Sequence, residues 1–131
     1  MWKILLIDDN DLNRELIKEY LTGMAEFTEV NNGVDGLNYF TKSKRDDNFF
    51  DIILLDISMP GMDGITVLKK IRDFERKEGI IDEDRIPIIM ETAFSEPQLR
   101  SFNTGCDDYI VNPLKRSDLI SKIERLVKKK K

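Results

Sequence analysis

The sequence predicts an open α/β domain, a parallel sheet with helices on both faces. Three observations carry this prediction. Five short apolar runs recur along the chain, at residues 4–7, 27–30, 52–55, 86–90 and 109–111. The first, third and fourth are rich in Ile and Leu with little alternation, the pattern of strands buried on both faces. A stretch with helical spacing follows each run, so strand and helix alternate five times, which implies parallel pairing with right-handed crossovers.

Each helix has its own signals. Asn10 is a good N-cap for a first helix with Leu12, Leu16, Ile17, Tyr20 and Leu21 at helical spacing. Val34, Leu37 and Phe40 follow Gly33, and Ile65, Leu68, Ile71 and Phe74 follow Asp63. Ser95-Glu96-Pro97-Gln98 reads as a capping box opening a helix through Phe102. Leu119, Ile120, Ile123, Leu126 and Val127 form a final amphipathic helix, with Ser117 or Asp118 near its start. The charged segment 76–85 reads as a solvated connector, either an extended loop or a longer helix end. With no internal repeat or linker visible, the expected organisation is one domain over residues 1–128 and a basic tail over 129–131.

Composition narrows the function. A chain of 131 residues is long enough to bury a core without disulfides or a structural metal. Cys106 is the single cysteine, which excludes an intrachain disulfide or a thiolate cage and fits a reducing, cytoplasmic setting. No apolar run is long enough to span a bilayer, and the residues around Lys3 make a poor signal peptide. The net charge of −4 argues against a nucleic-acid footprint; the run of lysines at 128–131 reads as a solvated end that complements a helix C-terminus. The absence of histidine removes His bases, His-containing zinc sites and Ser-His-Asp triads within the chain.

The chemistry collects at strand ends. In an open α/β sheet, ligands bind outside the carboxyl ends of the strands. The first strand ends in Asp8 and Asp9, the third in Asp56, the fourth in Thr92 and Ala93, and the fifth is followed by Asn112-Pro113. A strand order of 2-1-3-4-5 makes the first and third strands neighbours and brings the three aspartates together. Such carboxylates repel one another unless protons or a cation intervene, and hard oxygen ligands suit Mg²⁺. A carboxylate is also a competent nucleophile for making an acyl phosphate. Taken singly, each residue has an ordinary reading: Asp8 or Asp9 as a helix cap, Asp56 as the start of the turn that Pro60-Gly61 continues, Thr92 as a β-branched strand residue. Their placement at one edge favours a site.

The residues Ile4-Leu5-Leu6-Ile7-Asp8-Asp9-Asn10, the stretch from Asp56 through Pro60-Gly61-Met62-Asp63-Gly64, Pro87-Ile88-Ile89-Met90-Glu91-Thr92-Ala93 and Gly105-Cys106-Asp107-Asp108-Tyr109-Ile110 together resemble the receiver domains of two-component response regulators. The resemblance covers essentially the whole chain. The Asp9-Asn10 and Asn13-Arg14 neighbourhood, with the charged loop before Pro87, is most similar to stand-alone receivers or those of hybrid kinases and phosphorelays. It implies a flavodoxin-like (βα)5 domain. It also implies Mg²⁺-dependent transfer of a phosphoryl group to Asp56 from a partner phosphohistidine, with slow autodephosphorylation and no dedicated small-molecule enzyme activity. Asp9 would bind Mg²⁺ directly, Asp8 largely through water, and Ser58 through its backbone carbonyl. Thr92 would bond the phosphoryl group, Ala93 would leave room for it, and Tyr109 would report the switch, although ordinary packing is an equal reading of Tyr109. Ser58 and Phe94 hold the variable positions that tune phosphoryl lifetime. Partners would be a histidine kinase or a histidine phosphotransfer protein, then a downstream protein docking on the face of the fourth helix, last strand and last helix. Neither nucleic acid nor membrane is implied, and the oligomeric state would be a monomer or a phosphorylation-dependent dimer. With no output segment after Val127, any output is expected to act through another chain.

One departure stands out. The family places a lysine before the proline that follows the fifth strand, where this chain has Asn112. Asparagine donates a hydrogen bond without a charge, a loss on the order of 1–3 kcal/mol at a phosphoryl group. Lys115 is near in sequence only. A cis peptide before Pro113 remains accessible because the tertiary amide lowers its cost. Asn112 has two readings: phosphorylation with altered rate or lifetime, or an atypical receiver that binds proteins independently of phosphate; the first is favoured, because a domain released from metal and acceptor chemistry has no physical need for the carboxylate cluster. A third hypothesis, a phosphatase resembling the haloacid dehalogenase superfamily with its pair in Asp9-Asn10-Asp11, ranks lowest because the chain lacks length for a substrate cap.

Overall fold

The computed structural model describes residues 1–93 and 105–128. Five strands, β1 (Trp2–Ile7), β2 (Ala25–Val30), β3 (Ile52–Asp56), β4 (Ile88–Thr92) and β5 (Asp108–Val111), form one sheet in the order β2-β1-β3-β4-β5. Every pairing is parallel. The described helices are α1 (Asp11–Tyr20), α2 (Gly33–Arg45), α3 (Gly64–Lys77) and a C-terminal helix, α4 (Arg116–Lys128). The fold class and strand order expected from the sequence are those observed. The helix expected from Ser95 through Phe102 lies outside the described residues, as do Phe94 and the tail at 129–131.

Alternation within the strands builds two cores. Leu5, Ile7, Ile53 and Leu55 pack with Phe40 of α2 and Val67, Leu68 and Ile71 of α3 on one face. Ile4, Leu6, Ile52 and Leu54 pack with Ile17 of α1 and Leu119 and Ile123 of α4 on the other. A two-faced apolar strand is what a buried parallel sheet demands. Helix starts follow the capping logic: Asn10, Asn32 and Asp63 each accept a bond from a backbone N–H three residues on.

Local departures from the sequence reading have physical causes. The fourth apolar run begins at residue 86, yet β4 begins at Ile88. Pro87 has no N–H to donate to the ladder, although its carbonyl accepts from Ile53. Leu12 and Val34 fit the helical spacing but are exposed at 82% and 51%, because each lies in the first turn of its helix, beyond the sheet edge. Segment 76–85 contains the end of α3, a loop and a 3₁₀ turn at Asp82–Asp84.

Candidate functional site

Parallel strands point their carboxyl ends the same way, so residues just past β1, β3, β4 and β5 share one edge. Asp8 follows β1 and is buried, whereas Asp9 beside it is exposed. Asp56 ends β3 and is half-buried. One carboxylate oxygen from each of these three lies within 4.8 Å of the others. They line a cleft of about 420 Å³ with Ser58, Asn112 and Glu91. Among the described residues no lysine or arginine side chain lines this cleft, and Lys115 is not part of it. A larger groove, about 900 Å³, lies at the opposite edge near Asp51 and Pro87, away from the aspartates.

Hydrogen bonds fix the carboxylates. The backbone N–H of Asn10 donates to Asp8 Oδ1 at 2.9 Å, and Asn13 Nδ2 donates to Asp8 Oδ2 at 2.5 Å. The guanidinium of Arg14 donates to the Asp8 carbonyl at 2.6 Å, bracing the backbone rather than neutralising the carboxylate. The backbone N–H of Ser58 donates to Asp56 Oδ1 at 3.0 Å.

Glu91 was not singled out by the sequence reading. It is 6% exposed on β4, in register with Asp56 on β3. Its Oε1 accepts from Asn13, and it lines the cleft beside Asp8 and Asn112. The signal in the sequence was a glutamate inside an apolar strand run; its neighbours arrive from α1 and from beyond β5, which a linear reading does not connect.

Burial, followed by the charge on Asp8, pushes the Asp56 carboxyl up to about 8. The same two causes push Glu91 up to about 7. Hard oxygen donors crowded this way fit a small divalent ion such as Mg²⁺.

The remaining expected residues are also placed. Thr92 ends β4 and is buried, its carbonyl accepting from the backbone N–H of Asn112 at 2.8 Å. Tyr109 lies on β5, half-buried against the core that contains Ile88 and Met90. The peptide between Asn112 and Pro113 is cis.

A five-stranded 2-1-3-4-5 sheet with three aspartates at its carboxyl edge defines a receiver-type signalling module. The chain belongs to the response regulator receiver domain family, whose model matches residues 4–124. It is 39% identical over 130 residues to hybrid signal transduction histidine kinase L of Dictyostelium discoideum, covering 97% of this chain and 7% of that protein. The chain thus spans a small part of that curated relative. Among solved structures, the receiver domain of sensor histidine kinase PA1611 from Pseudomonas aeruginosa has a TM-score of 0.79 at 27% identity, covering 97% of this chain and 98% of that one. That structure has a magnesium ion coordinated in its active-site cleft. The receiver domain of Ssk1 from Saccharomyces cerevisiae, solved with the histidine phosphotransfer protein Ypd1, shares the fold with a TM-score of 0.80 at 23% identity, over 95% of this chain and 88% of that one. No helix among the described residues is long and apolar enough to cross a membrane.

Proposed function

We propose that this receiver takes a phosphoryl group onto Asp56 from a phosphohistidine on a partner protein and thereby changes what it binds. The observation that carries this is the convergence of Asp8, Asp9 and Asp56 in one cleft at the carboxyl edge of the sheet. An ionised Asp56 oxygen attacks phosphorus, the bond from phosphorus to the partner's imidazole nitrogen breaks, and that imidazole leaves. Water later hydrolyses the acyl phosphate on Asp56, releasing inorganic phosphate and restoring the carboxylate. Asp8, Asp9 and Asp56, with the Ser58 carbonyl, would hold Mg²⁺, which when bound supplies the positive charge that relieves the carboxylates and the phosphoryl oxygens. Asp8 is held ready by Asn10 and Asn13.

Thr92 is the residue that bonds the phosphoryl group in this reading, and Tyr109 is the half-buried aromatic whose packing responds, a two-state shift driven by new charge. The donor is a histidine kinase or a phosphotransfer protein, consistent with the yeast receiver solved with such a partner. The signalling unit is residues 1–128, acting in the cytoplasm. The test is intact mass after incubation with acetyl phosphate and Mg²⁺, repeated with the partner kinase as donor. One added phosphoryl mass that Asp56→Ala abolishes is expected; no added mass from either donor would sink the proposal.

A second reading is favoured by one observation, the lack of any lysine or arginine side chain lining the cleft among the described residues. A receiver without that cation could dock partners regardless of phosphate. Equal partner affinity with and without beryllofluoride would establish this reading; stronger or weaker binding in its presence supports the switch.

A further inference from the structure

Asn112 stands where the family's cation would reach the acceptor; it lies two residues beyond Ile110, the register partner of Glu91, and lines the same cleft as Glu91. Glu91 is buried and accepts from a neutral amide, Asn13, while a second neutral amide, Asn112, shares its cleft. The same Asn13 nitrogen also donates to Asp8. Asn13 therefore joins Glu91, on the face that also carries Asn112, to Asp8 in the cleft. We infer that Asn112 and Glu91 are a matched positioning pair, so that Glu91 decides what a cation at position 112 does at this site.

The inference rests on the phosphoryl-acceptor reading and goes beyond it. A buried carboxylate left without donors is costly, and a charged donor within reach is captured by it. A lysine introduced at position 112 has Glu91 as its ready partner and forms a charge-assisted bond there. The family's cation is then spent on Glu91 rather than on Asp56. Removing the charge at position 91 frees that cation for the acceptor. Residue 112 therefore has no fixed effect of its own; its effect depends on residue 91, the behaviour of groups in one network.

The experiment is a double-mutant cycle on the full chain with Asn112→Lys, Glu91→Gln and the two together. Urea denaturation in EDTA reads the pair without any phosphoryl group. Asn112→Lys is expected to raise the midpoint in the parent and to lose that gain in the Glu91→Gln background. Intact mass with acetyl phosphate and Mg²⁺ then reads the decay of the phosphorylated protein. Asn112→Lys alone is expected to change the half-life by less than about twofold, and by roughly tenfold in the Glu91→Gln background, the scale of a charge-assisted bond replacing a neutral one. Equal effects of Asn112→Lys in the two backgrounds, in either measurement, overturn the inference. No phosphoryl mass on any variant with either donor would defeat the acceptor reading instead, and the denaturation cycle would still decide the pair. If Glu91→Gln folds poorly, Glu91→Met takes its place as the neutral, shape-matched background.

Discussion

Asp56 and Glu91 are register neighbours on β3 and β4, and both carboxyls hold their protons above the ordinary carboxylate range, to about 8 and about 7. Between the ordinary value near 4 and these raised values, the folded protein binds protons that the unfolded chain has released. Stability contributed by this retention is full below the unfolded value and is lost as pH rises through the folded values. In EDTA the urea midpoint is therefore expected to fall between about pH 5 and pH 8, more steeply than for Asp56→Asn, and Mg²⁺ is expected to restore it at the upper end. Parallel pH curves for the two proteins would contradict this account. The aspartates were legible in sequence because each ends an apolar strand run, and strand ends are where an α/β sheet places its chemistry. Glu91 was not, because its meaning depends on Asn13 and Asn112, distant in sequence and brought close only by the fold.

At the scale of elements, the junction between β3 and α3 aims Asp56, the proposed acceptor. A Cβ on Gly64 would lie 2.2 Å from the Asp56 carbonyl oxygen and 2.7 Å from Ile57 Cα, both backbone atoms that cannot swing aside. Gly64→Ala is expected to destabilise by roughly 1–3 kcal/mol, as overpacking does, and to lower phosphoryl yield per folded molecule because the strain falls on Asp56 itself. Asp63, beside it, caps α3 through the Thr66 N–H at 2.8 Å. Asp63→Ala is expected to cost about 1 kcal/mol with yield per folded molecule unchanged. Urea denaturation with intact-mass labelling separates the two; a cap variant that loses yield as Gly64→Ala does would place the fault in α3 rather than in the junction. The glycine and its cap are visible as residues in the sequence, and Asp63 as a helix start follows from the apolar spacing after it. The contact between Gly64 and the Asp56 carbonyl depends on how tightly the chain reverses after β3, which spacing does not encode.

Across the whole molecule, the two ends of the sheet carry opposite electrostatic designs. The carboxyl edge crowds acids without a lining cation among the described residues, while the amino edge is tied by Arg72, 3% exposed on α3. Its guanidinium donates to Glu75 at 2.8 Å, to the Ile86 carbonyl at 2.9 Å, to the Gly105 carbonyl at 2.9 Å and to Asp107 at 3.0 Å. Glu75, fully buried, accepts in turn from the Ile86 N–H, and Asp107 from the Ile88 N–H. One side chain thus joins α3, the entry to β4 and the approach to β5. The apolar spacing that identified α3 could not reveal this, since a helical pattern assigns arginine and glutamate to solvent. Arg72→Met is expected to destabilise by about 3–5 kcal/mol, because it leaves Glu75 buried and charged without its partner. Arg72→Met combined with Glu75→Leu is expected to recover part of that loss, since removing both charges of a buried pair costs less than removing one. Phosphoryl yield per folded molecule should stay unchanged in both, because the network and Asp56 occupy opposite edges of the sheet. Urea denaturation of the two variants checks the first claim, and a double variant no more stable than Arg72→Met alone would show that Arg72 stabilises through its carbonyl contacts rather than through Glu75. Intact-mass labelling checks the second, and a fall in yield at equal folded fraction would mean that the amino edge communicates with the cleft through β4.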